Sequence, residues 1–202
     1  MNRMTEQLRI WAGLQGFVSA AGLLALLLFF ALARPFGAQQ SRWAWLGPVN
    51  DWLYVLGAVP WIIASVLLVV RARGGTLLWI LTGILCVLIA AGAIVTALML
   101  AGKVGLNVQF LVATPMTLVG FVWLWPASAA AVRAAALPSW VLPLSIIVLL
   151  AFIVGGSVVG GAFLSPPDSV MRMRLLVAGM IPVGLAMIAF PAWWVILASN
   201  AR

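Results

Sequence analysis

The sequence predicts an all-α integral membrane protein, a bundle of six transmembrane helices joined by short loops. Of its 202 residues, 66% are hydrophobic and only 7% are charged, with a mean hydropathy of +1.24, whereas a soluble domain carries about 25% charged residues. The apolar residues form six continuous runs of the length that a bilayer crossing needs, about 20 residues. Most tryptophans fall near the ends of these runs, at the depth where tryptophan is enriched in membrane proteins.

The six runs define the predicted helices in chain order. They cover residues 10–33, 52–70, 76–101, 108–132, 139–164 and 173–198, and together make residues 1–202 one transmembrane domain. The first run ends at Arg34-Pro35 because proline cannot continue a helix. Between the first two runs lies the longest predicted loop, where Pro48 is expected to break regular structure. The continuous apolar character favours helices over the alternating strands of a barrel.

Charge distribution predicts the cellular location. Six basic residues fall on the side of the termini and five on the other, which favours cytoplasmic termini in a multi-pass protein of the cell membrane. The net charge of +8 is spread along the chain without a basic face, so nucleic acid is not an expected partner. Ten of the eleven basic residues are arginine, which indicates a GC-rich bacterial genome.

Catalytic chemistry finds little support in this composition. The chain has no histidine and a single cysteine, Cys86, and none of the runs contains a pair of acids. No catalytic, cofactor-binding or metal-binding residues are predicted, and no cofactor, because histidine is the usual general base, zinc ligand and haem ligand. We therefore expect a protein that is not an enzyme.

A group of charged residues is predicted to surround the end of the bundle opposite the termini. As a candidate functional or structural charge cluster, its members are Arg34, Arg42, Asp51, Lys103, Asp168, Arg172 and Arg174. Asp51 has two interpretations. It could cap the second helix, which we favour, or pair with one of the basic members of the group.

Glycine pairs in the fifth run predict a packing surface. Gly156 and Gly160 lie one helical turn apart, and glycines at this spacing let another backbone approach closely. We expect the partner to be another helix of the same chain, with a second subunit as the alternative.

Uncharged polar residues within the runs have a structural and a functional interpretation. Hydrogen bonding to the backbone or a neighbouring helix is the expected role, and a polar line along a pore is the alternative. The residues are Gln15, Ser19, Ser65, Thr82, Cys86, Thr96, Thr114, Thr117, Ser145 and Ser157.

No motif identifies a substrate, so two functional hypotheses stay open. The first is a non-enzymatic membrane protein, such as an accessory subunit, whose partners are the lipid bilayer and other membrane subunits or further copies of itself. The second is a small transporter or channel with a polar path between proline-kinked helices. Pro60, Pro115 and Pro182 follow small residues in alternate runs. We favour the interpretation that glycine and proline are simply common in transmembrane helices, with a weak repeat as the alternative. A cavity reaching the middle of the bundle would favour transport.

Overall fold

The computed structural model describes residues 3–33, 41–166 and 169–201, and the regular structure of these residues is entirely helical. Six helices are long and apolar enough to cross a membrane, which confirms the predicted fold class to that extent. Their bounds are α1 (Arg3–Leu28), α2 (Leu46–Arg71), α3 (Thr76–Leu100), α4 (Leu106–Arg133), α5 (Val141–Ala162) and α6 (Val170–Asn200). A short π-helical turn, Phe29–Ala33, extends α1.

Helix α2 begins earlier than predicted, at Leu46 instead of residue 52. A turn precedes it, in which the Ala44 amide donates to the Ser41 carbonyl oxygen at 3.0 Å. The prediction that Pro48 breaks structure is wrong: Pro48 occupies the first helical turn, where its missing N–H leaves no helical bond unmade. Asp51 consequently lies inside α2 and does not cap it, so the favoured interpretation of Asp51 as a cap is wrong.

The six helices form a closed ring in chain order. Each helix packs against the next, α6 returns to pack against α1, and α2 also touches α4 across the ring. We call the end at which α1 begins and α6 ends the terminal end, and the opposite end the loop end. Arg9 Nε donates to the Ala198 carbonyl oxygen at 3.1 Å, which joins the first and last helices at the terminal end.

Glycine allows α6 to approach both of its neighbours. A methyl group on Gly155 of α5 would lie 2.6 Å from the carbonyl oxygen of Gly179, and one on Gly179 would lie 2.7 Å from that of Gly155. On the other flank, a methyl group on Gly16 of α1 would lie 2.8 Å from a methyl of Val195. Such distances require the absence of a side chain.

The predicted contact at Gly156 and Gly160 within the chain is wrong. Both glycines point outward, and a methyl group on either would meet nothing within 4 Å. The contact uses the neighbouring position, Gly155, because successive residues of a helix point about 100° apart.

An aromatic cluster fills the terminal half of the ring. Trp123 stacks on Trp194 at 5.9 Å between ring centroids, and Trp193 meets Trp194 edge-on at 4.9 Å. All three are at least 97% buried, so they pack inside the protein. Two of the indole N–H groups are satisfied internally, Trp123 by Thr82 Oγ and Trp193 by Ser128 Oγ, both at 2.8 Å.

We predict that Gly155→Ala destabilises the protein and that Gly156→Ala does not. The methyl group at 155 displaces the α6 backbone, and overpacking of this kind costs about 1–3 kcal/mol. The midpoint of thermal unfolding in detergent should fall for Gly155→Ala and stay near wild type for Gly156→Ala. Equal midpoints for the two variants would contradict the packing described above.

Candidate functional site

A cavity of about 170 Å³ lies inside the ring, between α1, α2, α4 and α6. Along α2 it extends from Trp61, near the middle of the helix, to Asn50, near its loop end. Rings of Trp61, Phe121 and Phe190 form its inner wall. These rings belong to the same contact network as the aromatic cluster, since Phe190 lies 6.3 Å from Trp194. The cavity is therefore bounded on the terminal side by packed aromatic residues.

The side chains lining this cavity are all uncharged. Its polar members are Gln15, Ser19, Asn50, Tyr54 and Thr117, and the remaining lining residues are apolar, aromatic, glycine or proline. An uncompensated charge in such surroundings loses its hydration and is strongly disfavoured. The lining thus suits an uncharged occupant.

Two lining residues carry buried polar atoms without a hydrogen-bond partner, Gln15 Oε1 and the indole N–H of Trp61. The Gln15 side chain is only 2% exposed, and its Nε2 donates to Ser19 Oγ at 2.8 Å. A side chain on Gly57 would begin 3.7 Å from Gln15 Oε1, so this glycine leaves space beside the amide. Leaving such an atom unpaired costs about 1–3 kcal/mol.

A backbone acceptor at the same cavity also lacks its usual partner. Pro191 lies inside α6 and has no N–H, so the carbonyl of Met187, four residues earlier, loses its helical donor. Both residues line the cavity. Membrane proteins tolerate interrupted helical bonding where the backbone borders a cavity or is buried in protein.

Tyr54 joins the wall of the cavity to α3 and α4. Its hydroxyl lies 2.8 Å from Met116 Sδ and 3.4 Å from the Ile89 carbonyl oxygen. The same hydroxyl occupies the space that a side chain on Gly92 would take. Glycine at position 92 is therefore what allows Tyr54 to hold this position.

Asp51 follows the lining residue Asn50 in α2 and interacts with neutral amides. Its Oδ1 accepts from Asn50 Nδ2 at 3.5 Å, and Gln109 of α4 forms a second side-chain hydrogen bond with it. Gln109 Nε2 also donates to Thr96 Oγ at 3.2 Å. The carboxylate of α2 is thus connected through one amide to α4 and α3.

The described members of the predicted charge cluster share one end of the bundle, but the structure does not assemble them into ion pairs. Arg42 lies over the ring of Trp43 at 5.3 Å, and Arg172 over that of Phe163 at 5.2 Å. Lys103 and Arg174 are exposed. Arg34 and Asp168 lie outside the described residues.

Neither a metal-ligand cluster nor similarity to a known protein indicates what this cavity does. Over residues 3–33, 41–166 and 169–201, no three potential metal ligands among His, Cys, Asp and Glu come together. Comparison with protein-family models, curated proteins and solved structures found no match to the chain. A function therefore has to be argued from the cavity itself.

The sequence contained part of the signal for this site. Gln15, Ser19 and Thr117 belong to the predicted buried polar residues, and Gln15 is the only amide in that group. The contributions of Trp61 and Gly57 were not predicted, because they depend on which helix faces meet.

We predict that Asp51→Asn is mild and that Asp51→Leu destabilises the protein by about 1 kcal/mol. The amide oxygen of asparagine can still accept from Gln109, whereas leucine leaves that donor without its partner. Thermal unfolding in detergent measures both variants. Equal destabilisation by the two would show instead that the negative charge itself is required.

Proposed function

We propose that this chain is a non-enzymatic, multi-pass protein of a bacterial cell membrane that admits a small uncharged molecule into its central cavity, as a small transporter or an intramembrane binding protein. The observation that carries the proposal is the cavity at mid-helix depth with unpartnered polar atoms on its lining residues. A tightly packed bundle would have offered no such space.

The outer surface supports placement in a lipid bilayer. Large apolar side chains cover it, including Leu164, Leu111 and Phe17, which are 90%, 76% and 72% exposed. An apolar surface of this extent would aggregate in water. We propose cytoplasmic termini on the charge distribution, which puts the loop end on the opposite face.

The arrangement favours access from the loop end. The residues of α2 that line the cavity extend from the middle of the helix towards the loop end, whereas the aromatic cluster lies in the terminal half. A route through the terminal half would require separation of Trp123, Trp193 and Trp194. We therefore propose a vestibule with one favoured entrance, and no open channel.

Cysteine accessibility tests this proposal. In a Cys86→Ser background, which removes the single native thiol, Ser19→Cys places a thiol on the cavity wall and Ser157→Cys places one on the outward face of α5. Thiols react as thiolates, which form readily only where water reaches them. With methyl methanethiosulfonate, we predict that the cysteine at position 19 reacts at least about tenfold faster than the cysteine at position 157.

Comparable rates at the two positions would mean that water does not enter the cavity, and the proposal would be wrong. The reaction is followed by mass spectrometry of the intact protein. Ala12→Cys, at a fully buried position of α1, gives the rate for a closed interior.

An accessory subunit is the second candidate, favoured by the outward-facing Gly156 and Gly160. On a lipid-facing surface, glycines one helical turn apart permit close approach of a helix from another chain. In the Cys86→Ser background, we predict that Gly156→Cys forms disulfide-linked species under mild oxidation in native membranes. Leu150→Cys, also exposed on α5, is the matched control, and equal cross-linking at both positions would remove the support for this candidate.

A further inference from the structure

The central cavity has the size of a site for one small ring. Its volume is about 170 Å³, and an engineered apolar cavity of about 150 Å³ in another protein binds benzene. A single six-membered ring with one small substituent matches this space.

The inner wall is suited to an aromatic ring. Trp61 meets Phe190 edge-on at 5.0 Å, and Phe121 lies 6.0 Å from Phe190, also edge-on. Aromatic rings favour such offset and edge-on partners. Met116 and Met187 also line the space, and thioether sulfur makes favourable contacts with rings.

Gln15 lines the cavity with an amide whose hydrogen bonding is incomplete. Its Oε1 is covered by neighbouring atoms and has no hydrogen-bond partner. The terminal torsion of glutamine is soft, so rotation can turn the amide towards the cavity that the side chain lines. Turning the amide over would leave its nitrogen without a partner instead, so either orientation leaves one amide atom unpaired.

A hydroxyl group satisfies this environment better than other small substituents. It can donate to an amide oxygen or accept from an amide N–H, and it can also donate to the Met187 carbonyl, whose helical donor is missing. It carries no charge, in keeping with the uncharged lining. A carboxylate or an ammonium would be left without a counter-charge in the cavity.

We infer that the cavity binds a small phenol-type molecule, with its ring against Trp61, Phe121 and Phe190 and its hydroxyl hydrogen-bonded to the amide of Gln15. The inference rests on the proposed function and specifies its ligand class. Water alone is the competing occupant, since it could also pair with Gln15, but it would leave the aromatic wall without apolar contacts.

Phenol and toluene provide a matched pair of ligands, because they differ by a hydroxyl in place of a methyl group. Binding is measured by equilibrium dialysis against nanodiscs containing the full chain, with empty nanodiscs correcting for partition into lipid. We expect phenol to bind about five- to tenfold more tightly than toluene after this correction, the ratio that one net hydrogen bond supplies.

Two pairs of variants locate the site. Gln15→Leu should abolish the preference for phenol while leaving toluene binding unchanged, and Gln7→Leu, at an exposed position of the same helix, should change neither. Thr117→Leu places a larger side chain in the cavity wall and should weaken the binding of both ligands. Thr114→Leu, on the exposed face of α4, should weaken neither.

The outcomes separate the inference from the proposed function. If neither ligand exceeds its partition into empty nanodiscs, the cavity does not hold a small ring and the inference is overturned, while the proposed function is decided by the cysteine reactivity at position 19. If both ligands bind equally and Gln15→Leu has no effect, cavity binding stands and hydroxyl recognition by Gln15 is overturned. Gln15→Met, which also removes the amide, serves as the second variant if Gln15→Leu does not fold.

Discussion

Close approach of α6 to both α1 and α5 is the constraint on which the rest of the structure depends. At Gly155 and Gly179 the two backbones touch directly, and at Gly16 the α1 backbone meets Val195. Helices in lipid gain little from hydrophobic association, so close van der Waals packing provides much of what holds them together. With larger residues at these positions α6 would stand further out, and the central space would open to lipid between the helices.

Hydrogen bonding in the interior of the ring is only partly complete. Two of the three clustered tryptophans donate to the hydroxyls of Thr82 and Ser128, and the third indole N–H has no partner. At the cavity, Gln15 retains an unpartnered atom, and the Met187 carbonyl loses its helical donor to Pro191. Buried polar groups are normally satisfied, and the cavity offers space beside such groups, so it is where an occupant has most to contribute.

The existence and the approximate bounds of the helices could be predicted because lipid-crossing segments need continuous apolar runs, a property of composition. The orientation of each helix about its own axis could not. Helices that are apolar on all sides carry almost no directional signal, and a change of one position separates the predicted Gly156 from the observed Gly155. The same limitation explains the tryptophans: Trp123 and Trp125 are two residues apart, yet one is fully buried and the other is half exposed. Among the polar residues of the cavity, composition could suggest Gln15, but its neighbours come from three other helices and depend on these orientations.

The stacked indoles of Trp123, Trp193 and Trp194 have a mechanical consequence. Large rings packed against one another resist separation, whereas the cavity walls contain glycine, small hydroxyls and methionine, which deform at lower cost. If the helices separate to admit a molecule, the tryptophan cluster stays in place as the pivot, and the loop ends of α1 and α2 move furthest. The protein is then stiff at the tryptophan cluster and compliant at the loop end. A substitution in the cluster would affect the movement of the helices along their whole length.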